Sequence, residues 1–221
     1  MIPIWRNCPY ISGLIIFMTN WLNPGKTVIL ASGSPRRKQI LSLMGFSFKT
    51  IVPAEINEES YLDSGHLNES LQKLAIIKAK RVSENNPEAL VLSADTVVVN
   101  NSVILGKPAD YDNAFQMLKD LSGKKHRVIT GVALLCAKEN FCRTNAVSTD
   151  VYFRNISDQE IEQYLSFPEY QDKAGSYAIQ GKAMIFIDRI DGCYYNVVGL
   201  PVSGTINLFN EFIFRKECSN V

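Results

Sequence analysis

Blocks of apolar residues with two different periods run along the chain and predict an alternation of strands and helices. Short apolar runs, continuous or alternating with polar residues, predict β-strands, whereas apolar residues three and four apart predict amphipathic helices. The predicted strands are 28–31, 48–52, 89–94, 97–99, 103–105, 127–137, 141–154, 184–187 and 194–198. The predicted helices are 35–44, 67–84, 112–121, 158–167 behind a capping box at Ser157 and Glu160, and a last one from residue 202 to about 214.

This order of elements predicts an α/β fold, with a mixed twisted sheet, flanking helices and a second lobe rich in hairpins. No internal repeat or linker divides the chain, so we expect residues 26–216 to form a single domain. We expect residues 1–25, which precede the first buried strand, to be an extension outside the fold. Their apolar stretch 11–18 resembles a short signal peptide without a small-residue cleavage site, and Met18 is an alternative start of the chain.

Composition excludes several classes of function. The net charge of the 221 residues is +1, so no overall basic field attracts nucleic acid or an anionic membrane. The five cysteines are scattered without a CxxC pair, which favours reduced thiols in a cytoplasmic protein and argues against a zinc site. Two histidines cannot build a His-rich metal centre, and no apolar run is long enough to span a bilayer.

The stretch Val-Ile-Leu-Ala-Ser-Gly-Ser-Pro-Arg-Arg, residues 28–37, predicts a strand, a tight polar loop and the start of a helix. Pro35 suits the first helical turn and Ser34 the cap before it, and free N–H groups at such a start favour an anion. Arg36 and Arg37 oppose the helix dipole in that turn. Either a bound polyanion offsets this cost, or both arginines are simply solvated.

Two further charged residues interrupt apolar patterns. Lys78 lies on the apolar stripe of its helix, where it either extends to the edge of the core or points into a polar cleft. Asp95 lies within an apolar strand, where it is either a hydrogen-bonded structural residue or a metal ligand or base. We expect His126, at the head of a strand, to be a hydrogen-bonded structural residue rather than an acid catalyst.

The residues that depart from local rules make one chemical inventory. The cations are Arg36, Arg37, Lys78, Lys107 and Lys173, and the carboxylates are Glu58, Asp95 and Asp172. Several cations with one or two carboxylates suit a polyphosphate and a divalent metal. The chain has neither a GxxxxGK[ST] nor a GxGxxG motif, which argues against the P-loop and dinucleotide sites. Because each cation opposes a local preference, we expect removal of Arg37 or Lys78 to leave the stability of the empty protein unchanged or higher.

The motifs themselves resemble a known family. They are Leu-Ala-Ser-Gly-Ser-Pro-Arg-Arg at 30–37, Leu-Ala-x-x-Lys-Ala at 74–79, Ser-Ala-Asp-Thr at 93–96, Leu-Gly-Lys-Pro at 105–108, Leu-Ser-Gly at 121–123 with His126, Thr-Gly-Val-Ala at 130–133, Asp-Lys-Ala-Gly at 172–175, Ile-Gln-Gly at 179–181 and Val-Gly-Leu-Pro at 198–201. In this order, from residue 27 to about 214, they resemble the Maf family of nucleoside triphosphate pyrophosphatases.

The resemblance implies a two-lobed fold around a cleft, related to inosine triphosphatases and usually dimeric. It also implies hydrolysis of a nucleotide between its α and β phosphates with Mg²⁺ or Mn²⁺. The residues implied to hold the substrate are Ser32, Arg36, Arg37, Lys78, Lys107, Lys173 and Gln180. Asp95 is the implied catalytic carboxylate, which binds the metal or activates water, and Glu58 assists at the metal.

The segment 172–181 resembles the family branch that prefers dTTP and UTP. A modified nucleotide such as 7-methylguanosine triphosphate is the alternative substrate. Two further hypotheses are a nucleotide-binding regulator of septum formation and a nucleic-acid binder. The near-neutral charge weakens the nucleic-acid binder, and a carboxylate among anion-binding cations weakens the regulator.

Overall fold

The computed structural model describes residues 24–219, which contain one mixed sheet of seven strands. The strands are β1 (Val28–Leu30), β2 (Phe48–Thr50), β3 (Leu90–Asn100), β4 (Val103–Leu105), β5 (Lys125–Cys136), β6 (Phe141–Phe153) and β7 (Ile187–Asp191). Their order is β2-β1-β3-β5-β6-β7, and β4 pairs with one end of β3. β1 runs parallel to β2 and β3, whereas the other pairs are antiparallel.

Helices cover both faces of this sheet. The α-helices of the described range are α1 (Pro35–Leu43), α2 (Leu67–Ser83), α3 (Tyr111–Leu121), α4 (Asp158–Leu165), α5 (Tyr194–Val198) and α6 (Val202–Ser219). Short 3₁₀ helices occupy Glu58–Tyr61, Pro168–Tyr170, Ala174–Ser176 and Lys182–Phe186.

The core lies on two sides of the sheet because successive side chains of a strand point to opposite faces. Ile29 and Val91 point to the face that α2 covers, where they pack with Ala79. Leu30 and Leu92, the next residues, point to the larger core formed with α1, α3, α4 and α6. Both faces of the central strands are therefore buried, which explains why their apolar runs are continuous.

A glycine on β5 allows α2 to lie very close to the sheet. Gly131 pairs with Asp95 across β3 and β5. A Cβ atom at Gly131 would lie 2.5 Å from the carbonyl carbon of Leu71, a distance that real side chains do not allow. The backbone of α2 therefore crosses the sheet beside Asp95 only because residue 131 has no side chain.

Most of the predicted elements are confirmed, with boundaries that differ by a few residues. The mixed sheet with flanking helices is confirmed, and so is the capping box, in which Ser157 and Glu160 each bond the backbone of the other. β3 is one continuous strand, although the sequence predicted two runs on either side of Asp95 and Thr96. The hairpin strands β5 and β6, predicted for a second lobe, continue the same sheet.

Two of the predicted strands are wrong. Residues 194–198 form the helix α5, which ends at Gly199 in the left-handed conformation with φ 115°. Residues 184–186 belong to a 3₁₀ helix, and β7 begins only at Ile187. Both segments are short apolar runs, for which periodicity does not separate a strand from a single buried helical turn.

The prediction that residues 1–25 lie outside the fold concerns, apart from Pro24 and Gly25, residues outside the described range. Within that range, no helix has both the length and the apolar character that a membrane crossing requires.

Candidate active site

A gap in the sheet beside β3 marks the candidate active site. β5 pairs with one edge of β3 from Val91 to Val99. On the other edge, β1 pairs with residues 90–92 and β4 with residues 98–100. Residues 93–97 of that edge therefore have no strand partner among the described residues, and Asp95 lies at their centre. The gap opens beyond the carboxyl end of β1, the position at which ligands commonly bind in α/β sheets.

Three charged side chains meet at this gap. Asp95 is 6% exposed and accepts a hydrogen bond from Lys78, which is 8% exposed. The same ammonium group lies 2.6 Å from Oε1 of Glu58, at the start of the 3₁₀ helix Glu58–Tyr61. Of the two interpretations of Lys78, the polar cleft is therefore confirmed. The lysine offsets the cost of burying the Asp95 carboxylate, because a buried charge needs a partner of opposite sign.

Arg37 reaches the other side of the gap from the first turn of α1. Its Nε donates to the Gly199 carbonyl at 2.8 Å, Nη1 to Ser32 Oγ at 3.2 Å and Nη2 to Thr96 Oγ1 at 3.1 Å. Burial lowers the pKa of this guanidinium, and the Asp95 carboxylate nearby acts in the opposite direction. The group is therefore partly desolvated and held in a fixed orientation, not simply solvated.

The loop before α1 differs in one detail from the sequence prediction. Ser34 occupies the N-cap position, but its side chain makes no capping hydrogen bond. Ser32 lies nearer the site, and its Oγ accepts from the Ser34 N–H at 3.2 Å as well as from Arg37. The Ser32 hydroxyl thus links the loop to the guanidinium.

A second group of cations adjoins the first. We call residues 172–181 the strap; its Gly175 N–H donates to the Gly106 carbonyl at 3.0 Å and so joins it to the turn that carries Lys107. Burial lowers the pKa of Arg36, against which the Asp172 carboxylate acts. Burial also lowers the pKa of Lys173, and so do the charges of Arg36 and Lys107, whereas the Asp172 and Glu169 carboxylates raise it. Lys173 therefore lies close enough to Arg36 and Lys107 to be repelled by both, and a bound anion would reduce that repulsion.

Gln180 and His126, two other residues that the sequence singled out, lie outside the charged cluster. Gln180 is exposed on the strap, and among the described residues no hydrogen bond joins it to the cluster. His126 is 2% exposed, and its Nε2 lies 2.8 Å from the Tyr177 hydroxyl of the strap. Its expected structural role is thus confirmed, because it attaches β5 to the strap.

No group of three or more His, Cys, Asp or Glu side chains within the described residues could hold a metal ion by itself. Asp95 and Glu58 are two carboxylates that share one lysine, so they offer at most a partial set of metal ligands. Mg²⁺ is commonly held in such a way, by one or two carboxylates with the remaining positions filled by water and substrate phosphates. The two side chains fit a metal that arrives with a polyphosphate.

Sequence reasoning did not assign a role to Thr96, Thr130 or Asn196, although the first two lie within motifs of the family resemblance. Thr96 contacts Arg37 directly, and Thr130 and Asn196 lie behind it. For the two threonines, the sequence signal was a hydroxyl side chain in the middle of an apolar strand. Asn196 had no such signal.

Comparison with known proteins gives consistent matches over the same residues. The family model described as "Maf-like protein" matches residues 27–212. The chain is 46% identical over 175 residues to the dTTP/UTP pyrophosphatase of Syntrophomonas wolfei subsp. wolfei (strain DSM 2245B / Goettingen), which covers 79% of this chain and 91% of that relative. It is 44% identical over 187 residues to the dTTP/UTP pyrophosphatase of Bacillus cereus (strain G9842), with coverage of 85% and 96%.

Among solved structures, a HAM1 protein from Coxiella burnetii gives a TM-score of 0.40 at 14% identity, over 73% of this chain and 91% of that chain. This likeness is weak, and the assignment depends on the sequence matches alone. Since one family model spans most of the chain and the relatives match over most of their own length, the chain belongs to the Maf family.

Proposed function

We propose that this protein is a nucleoside triphosphate pyrophosphatase that hydrolyses dTTP and UTP to the nucleoside monophosphate and pyrophosphate. The observation that carries the proposal is the cluster of Asp95, Lys78 and Glu58 at the gap in the sheet, with Arg37 beside it. The activity is that named for the two relatives described above, and it removes triphosphates from nucleotide pools.

The cations are arranged to bind an extended polyphosphate. Arg37 with Ser32 lies on one side of the gap, and Lys78 lies within it. Arg36, Lys107 and Lys173 form the adjoining group, in which Arg36 and Lys107 repel the charge of Lys173 and nearby carboxylates offset only part of that repulsion. A triphosphate would relieve that repulsion and spread its own charge over both groups.

Asp95 is the proposed catalytic carboxylate. In the described structure its charge is balanced by Lys78, which also bonds Glu58. When the triphosphate occupies the cations, Lys78 can turn from the carboxylates to a phosphate oxygen. Asp95 and Glu58 are then free to hold a divalent ion or to orient the attacking water. The metal, Mg²⁺ or Mn²⁺, would neutralise charge that develops on the phosphate oxygens.

The strap is the proposed determinant of base choice. It carries Gln180, whose amide can both donate and accept hydrogen bonds to a base edge. Gln180 is exposed, so its amide is accessible to a ligand from solvent. Assembly as a homodimer in the cytoplasm stays a prediction from the family resemblance.

The proposal is tested by pyrophosphate release from dTTP, UTP, CTP, ATP, GTP and 7-methylguanosine triphosphate with Mg²⁺ or Mn²⁺. We expect the highest kcat/KM for dTTP and UTP, and loss of turnover when the metal is chelated. Arg37→Ala should raise KM, whereas Arg189→Ala should not, because Arg189 of the edge strand β7 stacks on Tyr152 of β6. Absence of pyrophosphate release from every triphosphate would contradict the enzyme, and a higher kcat/KM for the methylated nucleotide would contradict the base choice.

A further inference from the structure

Two threonine hydroxyls lie behind Arg37, that of Thr96 partly buried and that of Thr130 fully buried. Thr96 of β3 and Thr130 of β5 are direct partners across the two strands. Their neighbours on the same face, Ala94 and Val98 on β3, belong to the apolar core. Thr130 has no exposed surface, and the two hydroxyl oxygens are 2.9 Å apart. Polar groups at such positions cost free energy unless each is hydrogen-bonded.

The hydrogen bonds of these hydroxyls have only one consistent direction. Arg37 can only donate, and its Nη2 bonds Thr96 Oγ1. At the other end, Thr130 donates its single proton to the Asn196 carbonyl at 3.2 Å. Thr96 must therefore donate to Thr130, which gives a relay from Arg37 through Thr96 and Thr130 to Asn196.

The far end of this relay is firmly anchored. Asn196 is fully buried on α5, and its Nδ2 lies 3.0 Å from both the Val128 carbonyl and the Thr149 hydroxyl. Gly199, which ends the same helix, accepts from Nε of Arg37. The guanidinium is thus fixed to α5 at two points, directly through Gly199 and indirectly through the relay.

We propose that Thr96, Thr130 and Asn196 are positioning residues that fix the orientation of Arg37 towards the substrate phosphates. This inference rests on the proposed function, in which Arg37 binds the triphosphate. A hydroxyl at residue 130 keeps the proton of Thr96 pointed away from the guanidinium, so that Thr96 Oγ1 presents a lone pair to it. Without that hydroxyl, Thr96 can rotate and Arg37 loses a fixed acceptor.

The test compares two substitutions of one residue. Thr130→Val keeps nearly the same volume without the hydroxyl, whereas Thr130→Ser keeps the hydroxyl and leaves a small cavity. We expect Thr130→Val to raise the KM for dTTP by about tenfold with a smaller change in kcat. Thr130→Ser should keep KM within about twofold of the original even though its thermal midpoint falls. Thr144→Val, the same change on β6 away from the relay, is the control and should leave KM unchanged.

A role of Thr130 in packing alone would give the opposite order, because the serine variant is the less well packed of the two. Equal KM values for the valine variant and the original protein, or equal impairment of the valine and serine variants, would overturn the proposal. If Thr130→Val does not fold, Thr96→Val and Thr96→Ser make the same comparison from the neighbouring strand.

A double variant separates this proposal from the proposed function. If the relay acts through Arg37, then Thr130→Val should not raise KM further in a chain that already carries Arg37→Ala. A further rise would overturn the relay alone. An unchanged KM in Arg37→Ala itself would overturn both the relay and the phosphate-binding role of Arg37.

Discussion

Lys78 balances the negative charge of the candidate site when no substrate is bound. Its ammonium group lies between the carboxylates of Asp95 and Glu58, so one positive charge faces two negative ones. Asp95 is the more deeply buried of the two carboxylates and depends most on this pairing. The sequence predicted that removal of Lys78 or Arg37 would not destabilise the empty protein. The contacts of both residues with buried or backbone acceptors argue for the reverse.

We expect Lys78→Met to lower the free energy of unfolding by about 3 kcal/mol, because it leaves the Asp95 charge buried without its partner. Adding Asp95→Asn should restore part of the loss, since the uncompensated charge is then removed as well. Urea unfolding of the two single variants and of the double variant measures both effects. A double variant no more stable than Lys78→Met would show that the pair does not interact in this way.

Asp95→Asn should abolish most of the turnover while the chain stays folded. Asparagine keeps the size of the side chain and can still accept from Lys78, but it removes the charge that we propose holds a metal or a water. We expect kcat for dTTP to fall by at least about two to three orders of magnitude, with nucleotide binding still measurable by calorimetry. Asp150→Asn is the matched control, because Asp150 pairs with Lys125 and Arg127 at the surface of the β5–β6 pair. A folded Asp95→Asn protein with kcat within a few-fold of the original would move the assignment to Glu58 or Asp172.

At the scale of elements, helices and strands with a long, repeated pattern were predictable from the sequence, and elements with a short pattern were not. The long stripe of α2 and the alternation of β6 each repeat their period several times, and both elements are present near the predicted bounds. α5 contains Tyr, Tyr, Asn, Val and Val, a composition that favours a strand. Its helical turn is decided by tertiary contacts instead, since Asn196 bonds the β5 backbone and Gly199 bonds Arg37.

The residues of the candidate site likewise divide into those that the sequence predicts and those that it does not. Arg37, Lys78 and Asp95 were predictable because each places a charge where its own element favours something else. Thr130 and Asn196 were not, because their role depends on the register between β3 and β5 and on the placement of α5. They are 66 residues apart along the chain, and no local rule relates them.

The junction between β5 and the strap predicts how the stability of the protein depends on acidic pH. His126 is buried against Tyr177 and Phe153, and burial lowers its pKa from 6.5 to about 4. Below pH 6.5 the unfolded chain therefore takes up a proton that the folded chain refuses until about pH 4. Stability is thus present above the unfolded pKa and is lost as the pH falls.

We expect the free energy of unfolding to fall by about 2 kcal/mol between pH 7 and pH 5 on account of His126. His126→Gln can still bond the Tyr177 hydroxyl. This variant should have a lower free energy of unfolding than the original protein at pH 7, but that free energy should fall less between pH 7 and pH 5. The measurement is urea unfolding of both proteins at a series of pH values. Parallel pH curves for the two proteins would show that His126 does not carry this dependence.

For the molecule as a whole, the local arrangement of charge matters more than its total. The net charge is +1, yet Arg36 and Lys107 both lie close enough to Lys173 to repel its charge. A small polyanion can neutralise such a group, whereas the total charge supplies no overall attraction for a long nucleic acid. This distribution agrees with the family assignment and with a nucleotide as the ligand.

The last prediction concerns the boundary of the folded unit. The family model begins at residue 27, and the contacts that tie the start of the domain to the sheet include those of Lys26 and Thr27. Lys26 lies 2.8 Å from Glu139 and donates to the Glu88 carbonyl, while the Thr27 carbonyl accepts from the Leu90 N–H. We therefore expect a chain that begins at Met18 to keep the thermal midpoint and the turnover of the full chain.

A chain that begins at Val28 is the matched control, because it removes only ten residues more but takes the Lys26 and Thr27 contacts with them. Loss of one backbone hydrogen bond at the β1–β3 pair and of a partly buried ion pair should lower the free energy of unfolding by about 1–3 kcal/mol. Its midpoint should fall, while kcat measured well below that midpoint should stay near the original, because these contacts lie at the end of β1 away from Asp95. If the chain from Met18 lost as much stability as the chain from Val28, residues 1–17 would have to contribute to the fold, and the boundary proposed at residue 26 would be wrong.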